Sequence, residues 1–367
     1  MENVSTGIIV ASLGFALGIV FGGTAHKTNF CTMGAISDIV FMEDWNRFRA
    51  WMLATGVAIL GSQILYQADV IDLTKAIYLT PNFGWFGAIL GGLIFGFGMT
   101  LGSGCGNKTL VRLGAGNLKS LVVLLFLGIF AYMTLRGLIG LARVEIELLT
   151  IVDLKAIGLS NQGLPEILTL VTPFPIKIIS IAASVLIGGG LVVFAFISPE
   201  FRSSKRDVLA GIIIGNLVVA AWYVTGVIGN DDFEPVHLTS FTFIAPVGES
   251  LQYLMTFTGA SINFGISTVG GVIFGSFVTA VVSNEFHIEA FSDTSDMVHH
   301  ILGGILMGVG GVLSLGCTVG QGITGMSTLA IGSFLTLISI IAGGIYGLRY
   351  LEEGNFSDAF KAIFIRG

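Results

Sequence analysis

ILGGLIFGFGMTLGSGC, residues 89–105, returns as ILGGILMGVGGVLSLGC, residues 301–317, at a constant offset of 212 with nine of the seventeen positions identical. The matches include Gly91/Gly303, Gly92/Gly304, Gly96/Gly308, Gly98/Gly310, Gly104/Gly316 and Cys105/Cys317. An apolar, Gly-rich segment that ends in Gly-Cys is unusual once; carried twice, it marks an internal duplication. The surrounding chain of 367 residues is 53% hydrophobic and 11% charged, with a mean hydropathy of +0.89. Soluble domains carry about 25% charged residues, so this composition belongs in a bilayer. Apolar runs on the order of 17–25 residues, the length of a crossing, recur from end to end.

The fold expected is therefore an all-α integral membrane protein. It has about eight or nine transmembrane helices, short broken or re-entrant helices, and two pseudo-symmetric repeats. One membrane domain covers 1–367: a first repeat half over 1–142, a connector with one span over 143–207, and a second span group with the second repeat half over 208–367. Gly271–Gly275 echoes Gly18–Gly22. On that echo 68 residues separate Phe21 from Ile89 but only 27 separate Phe274 from Ile301, so the first half reads as longer by 41 residues and Cys31 falls opposite Asn284. The opening MENVSTG lacks the basic region of a secretory signal, so the stretch after it reads as a mature span. Basic connectors at Arg47/Arg49 and Arg202–Arg206 read as cytoplasmic. Connectors 67–83 and 230–249, the latter with Asp231, Asp232 and Glu234, read as external.

The chemistry gathers at the breaks. Gly102–Lys108 and Ser314–Gly322 interrupt helices at membrane depth, where lipid satisfies no backbone group. Such backbone survives only against protein or a water-filled path. Two interrupted segments in matching positions of two halves point to a transport site. A half-helix restarting after a break presents free N–H groups and a positive dipole end, which attract an anion. Lys108 and Arg112 add fixed positive charge near one mouth. The three cysteines, Cys31, Cys105 and Cys317, lie too far apart in apolar contexts to form a disulfide framework, and no spacing suggests a metal site. A thiol in apolar surroundings stays neutral, so it touches an anion without repelling it. The substrate-binding set is thus Cys31, Cys105, Cys317, Gly104, Gly106, Gly316, Lys108 and Arg112, with no catalytic residue, no metal and no cofactor. No P-loop pattern is present, so no ATP hydrolysis is expected. His287, His299 and His300 read as a solvated connector, and Asp38 as a helix cap.

The paired Gly-Gly-x3-Gly-x-Gly…Gly-Cys segments, Phe30-Cys31-Thr32 followed by Asp38, and Ile262–Gly265 leading to Phe274–Phe277 resemble the YeeE/YedE-like family of bacterial thiosulfate transporters. The resemblance covers nearly the whole chain. It implies an hourglass-shaped inverted repeat in a bacterial inner membrane, and three thiols that relay thiosulfate by S–H hydrogen bonds. It also implies a small cytoplasmic sulfur-carrier protein of the TusA type as a possible partner, docking on connectors 36–49 and 284–300. The chain departs from the family pattern at Thr28-Asn29, at Gly114–Gly116 and at Lys108. The competing readings are a transporter of a selenium compound and a membrane sulfurtransferase. The latter would carry a cysteine persulfide to a carrier, with Cys105 and Lys108 as its candidate pair. A purely structural subunit is a third, weaker option.

Overall fold

The computed structural model describes residues 5–231 and 234–365. Asp232 and the first four residues of MENVSTG lie outside the described residues. The chain is helical almost throughout; the one sheet among the described residues pairs Asn82–Phe83 with Val152–Asp153. In chain order the helices are α1 (Thr6–Thr28), α2 (Thr32–Met42), α3 (Asn46–Gln67), α4 (Trp85–Leu101), α5 (Gly106–Gly114), α6 (Leu118–Arg136), α7 (Leu138–Thr150) and α8 (Leu164–Leu168). They continue as α9 (Ile176–Ser184), α10 (Gly190–Ile197), α11 (Pro199–Ser203), α12 (Lys205–Tyr223), α13 (Ile244–Met255), α14 (Phe264–Val282), α15 (Thr294–Leu313), α16 (Ile331–Glu353) and α17 (Phe356–Ile365). Wide turns over Val185–Gly189 and Val224–Ile228 carry α9 into α10 and extend α12. Among the described residues nine stretches are long and apolar enough to cross a membrane.

The offset of 212 holds far beyond the two quoted segments. It lays α2 on α13, α4 on α15, α5 on the short coiled segment 318–327, α6 on α16 and α7 close to α17. No 41-residue surplus is needed, and the position opposite Cys31 is Phe243, the residue before α13. Asn284 instead follows the end of α14. The echo of Gly18–Gly22 in Gly271–Gly275 has another cause. Helices α1 and α14 lie against each other, and a Cβ on Gly18 or Gly271 would run into the other glycine's backbone. Both helices carry the small residues that close approach demands.

The halves are inverted. A Cβ on Gly91 would meet the Gly310 carbonyl, and one on Gly303 would meet the Gly98 carbonyl, both from contacts between α4 and α15. Under the offset of 212 these are the same contact exchanged, the mark of a pseudo-two-fold axis. Gly87 at the start of α4 meets Leu313 at the end of α15, so the two helices run antiparallel and the axis lies in the membrane plane.

One face is basic. Lys27, Lys108, Arg112 and Arg206 share a basin with the end of α14, and Lys119 bonds Asp296 at the start of α15. On the other face Ser5 donates to Glu234 and Thr6 to Asp231. The connectors read as cytoplasmic thus share one side, and the N-terminus lies on the opposite one.

Candidate functional site

Three helices end in one device. Asn29 (φ 53°), Ser103 (φ 55°) and Leu315 (φ 59°) are left-handed, each two residues before a cysteine. The next amide closes the helix by reaching back five residues: Phe30 N–H to Ala25 O at 3.2 Å, Gly104 N–H to Met99 O at 2.9 Å, and Gly316 N–H to Gly311 O at 2.7 Å. This is the Schellman closure, which satisfies carbonyls that would otherwise be orphaned at a helix end. It also reverses the chain, so the following residue, Cys31, Cys105 or Cys317, becomes the N-cap of a new half-helix. The fourth half-helix, α13, is reached by an extended stretch that ends at Phe243. A half-helix such as α5, nine residues long, spans roughly 14 Å, about half a hydrocarbon core.

The sulfurs cap these half-helices. Gly34 N–H donates to Cys31 Sγ at 3.5 Å and Gly320 N–H to Cys317 Sγ at 3.3 Å. Each sulfur takes the place that a Ser or Asp oxygen holds in an ordinary N-cap. Cys105 differs: its thiol donates to Asn107 Oδ1 at 2.6 Å and lies 3.7 Å from Cys31 Sγ. With Cys105 donating to Asn107, the Cys31 S–H points at the Cys105 sulfur, and the two thiols form a short chain. Asn107 is fixed by its amide, which reaches Phe30 O at 3.5 Å. All three cysteines are free and buried.

Around them the wall is aromatic and closely packed. Phe30 stacks on Trp51 at 6.1 Å, and Phe21, Phe241, Phe243 and Phe264 form a cluster. Gly106 approaches Ile244 and Phe243, with ordinary room for a methyl group. Gly104 and Gly316 are tighter, each against a side chain of its own half-helix, Lys108 and Gln321. Asp38 is no cap: it is buried in α2 and ion-paired to Arg47, which ties α2 to the start of α3 and packs over Gly34.

The two sides of this cysteine region differ. On the basic side lies a basin of ≈ 360 Å³ lined by His26, Lys27, Asn29, Lys108, Arg112 and Arg206 among others. Lys108 Nζ donates to Asn29 Oδ1 at 2.9 Å, directly before Phe30-Cys31. Arg112 spends one N–H on Ser103 O at 2.7 Å, holding the left-handed turn. Among the described residues neither has a carboxylate within ion-pair range; Glu285, the basin's acid, pairs with His26. On the other side lies a cavity of ≈ 30 Å³ lined by Tyr78, Gln162, Ser314, Gln321, Ser333 and Thr336 among others, with no charged group. That size admits about one water. Burial pushes the Tyr78 phenol up, so it stays a neutral donor. Ser333 donates to Gln321 Oε1 at 2.6 Å and Gln321 Nε2 to Ser314 O at 2.5 Å, binding the cavity wall to the half-helix that starts at Cys317.

The structure therefore brings Cys31, Cys105, Gly104, Gly106, Lys108 and Arg112 to one cluster, and Cys317 with Gly316 to the start of the half-helix 318–327. Sequence reading missed Asn107 and Asn29; a polar residue two positions from each of two cysteines was the available signal. It also placed His300 in a solvated connector. His300 is buried in α15, pairs with Asp296 at 3.0 Å and meets the Phe291 ring edge-on at 5.2 Å. Glu289 lies in the same network. Partial burial opposes its charge, yet bonds from Lys119 and Asn117 hold its carboxyl below the usual range.

A family model described as "Sulphur transport" matches residues 27–346. The chain is 26% identical over 332 residues, 84% of its length, to a protein of Escherichia coli (strain K12) named thiosulfate transporter TsuA, of which 86% is covered. It is 25% identical over 329 residues, 87% of its length, to a protein of the same name from Spirochaeta thermophila, of which 92% is covered.

Proposed function

We propose a substrate and a mechanism on one premise: this chain belongs to the sulphur transport family and is a multi-pass membrane transporter rather than an enzyme. The substrate is thiosulfate or a close sulfur-bearing anion. The observation that carries the reading is the pair of buried thiols, Cys31 and Cys105, 3.7 Å apart at the starts of two half-helices. The names of the two relatives support the substrate.

The anion sheds its water at the neutral face beside Tyr78 and Gln321, where the one-water cavity widens to pass it. Cys317 meets it first, then Cys105 and Cys31. Each thiol offers a weak S–H donor to the terminal sulfur, while the first amides of the half-helices that follow Gly104-Cys105 and Gly316-Cys317, beginning at Gly106 and Thr318, add the positive end of a helix dipole. Weak sites in series let an ion leave as readily as it arrives. Lys108 and Arg112 then draw the dianion into the basic basin. Positive residues gather on the cytoplasmic side of membrane proteins, so the basin faces the cytoplasm of a bacterial inner membrane and the direction is uptake. Connectors 36–49 and 284–300 lie on that face and would receive a TusA-like carrier.

Uptake of labelled thiosulfate into proteoliposomes tests this. Cys105→Ala is expected to lose most uptake and Cys105→Ser to retain part, because a hydroxyl still donates. Equal loss in both, with a persulfide found by mass spectrometry, would replace the relay with covalent sulfur transfer. Full uptake by a variant with all three cysteines changed to alanine would remove the thiols from the mechanism.

A further inference from the structure

The residues that open the four half-helices are Thr32, Gly106, Ile244 and Thr318. Thr32 and Thr318 both follow a cysteine, both are buried, and both hydroxyls lack any hydrogen-bond partner. The other buried threonines find a carbonyl, commonly one turn back, with one exception among the described residues: Thr336, on the wall of the neutral cavity, is unpaired as well. Thr55 bonds Trp51 O, Thr109 bonds Cys105 O, Thr134 bonds Phe130 O and Thr328 bonds Gly325 O. The first residue after a chain reversal has no such carbonyl, because the residues before it belong to a helix running the other way. A buried hydroxyl left unpaired costs stability, and valine would occupy the same space without that cost. The Nε1–H of Trp51, whose ring stacks on Phe30 next to Cys31 and would block a Cβ on Gly322 of the Cys317 half-helix, is unpaired as well.

These unpaired donors stand beside thiols that already have the sulfur end of a substrate to meet. A thiosulfate-like dianion has two unlike ends, a soft sulfur and hard oxygens that only accept hydrogen bonds. We infer that Thr32 and Thr318 are substrate-binding residues: each hydroxyl donates to an oxygen of the anion while the preceding cysteine meets its terminal sulfur. This deepens the proposed function and rests on it. Cys31-Thr32 and Cys317-Thr318 are then two-point sites, one on each half. Cys105-Gly106, with no hydroxyl, is a one-point site between them, where the ion is held less firmly and moves on. The assignment also explains why two hydroxyls are kept where packing alone favours a methyl group.

The test uses the full-length protein in proteoliposomes with labelled thiosulfate, and the variants Thr32→Val, Thr318→Val, Thr32→Ser and Thr318→Ser. Each valine variant is expected to raise KM about tenfold, the worth of one hydrogen bond to a charged group. Each serine variant is expected to restore KM toward the parent. The melting temperature of the purified valine variants without substrate is expected to equal or exceed that of the parent, which separates binding from folding. Thr32→Ala and Thr318→Ala serve as a second pair, with the same expected rise in KM. Parent-like KM in the valine or alanine variants overturns the inference and leaves thiosulfate transport standing. Serine variants as impaired as valine also overturn it, because shape and not the hydroxyl would then matter. A parent protein that takes up no thiosulfate overturns the proposed function, and this inference with it.

Discussion

In the first half, two half-helix starts face each other as thiols, Cys31 and Cys105, with sulfurs 3.7 Å apart beneath a basin lined by four cations and His26. In the second half the matching starts are Phe243 and Cys317, beside a small cavity lined by uncharged groups. The helix-closing bonds at Gly104 and Gly316 are nearly superimposable in register, and the left-handed residues before them match. Duplication thus preserved the backbone device and let the side chains diverge. The difference makes the two ends of the proposed path unlike: a neutral approach with one thiol on one side, and paired thiols opening onto positive charge on the other. An exactly symmetric waist would give an anion no preferred side.

The most decisive way to break this comparison is oxidation. Copper–phenanthroline treatment is expected to link Cys31 to Cys105 and leave Cys317 free, read in peptide maps; a Cys105–Cys317 link would mean the pairing is wrong. Next is Phe243→Ala. A fully buried phenylalanine truncated to alanine costs about 3–5 kcal/mol, measured as lost thermal stability. With the aromatic wall opened, sulfate is expected to inhibit thiosulfate uptake where it does not in the parent; unchanged sulfate inhibition would show that this wall does not select between the two anions. Lys108→Gln is a smaller effect. A partly exposed charge is worth about 0.5–1 kcal/mol, so uptake is expected to fall roughly two- to fivefold at low substrate, more at low salt than at high salt. An unchanged salt dependence would place Lys108 outside the substrate's route. The smallest is Leu315→Gly. A left-handed leucine costs about 1–2 kcal/mol and glycine's extra freedom takes back about 0.5–1 kcal/mol, so a modest rise in thermal stability is expected. A fall would show that the half-exposed Leu315 side chain contributes packing that outweighs its strain.

Much of this was legible in the sequence. The Gly-Cys pair carried the duplication, and the helix breaks followed from Gly102–Lys108 and Ser314–Gly322. Those signals are local: hydropathy, small residues and chain breakers act within a few positions. Phe243 was not legible, because nothing in Thr242-Phe243-Ile244 resembles Phe30-Cys31-Thr32 by composition; only the continued offset of 212 shows the correspondence. The glycine echo between α1 and α14 misled for a physical reason. Any two helices packed backbone to backbone need small residues, whether or not they share descent. Asp38 and His300 were misread because their partners, Arg47 and the Lys119–Asp296 network, come from other turns or other helices.

Hydropathy along the chain already placed it in a bilayer, since apolar length against hydrocarbon thickness depends on composition alone. The breaks likewise follow from residues adjacent in sequence. Which thiols meet, which mouth is charged and which hydroxyls go unpaired depended on the antiparallel pairing of α4 with α15 and the parallel pairing of α1 with α14. Cys31 and Cys105 are separated by 74 residues and approach only because helices from both halves close around them. Contacts of that range are decided by packing in three dimensions, which a linear pattern does not encode.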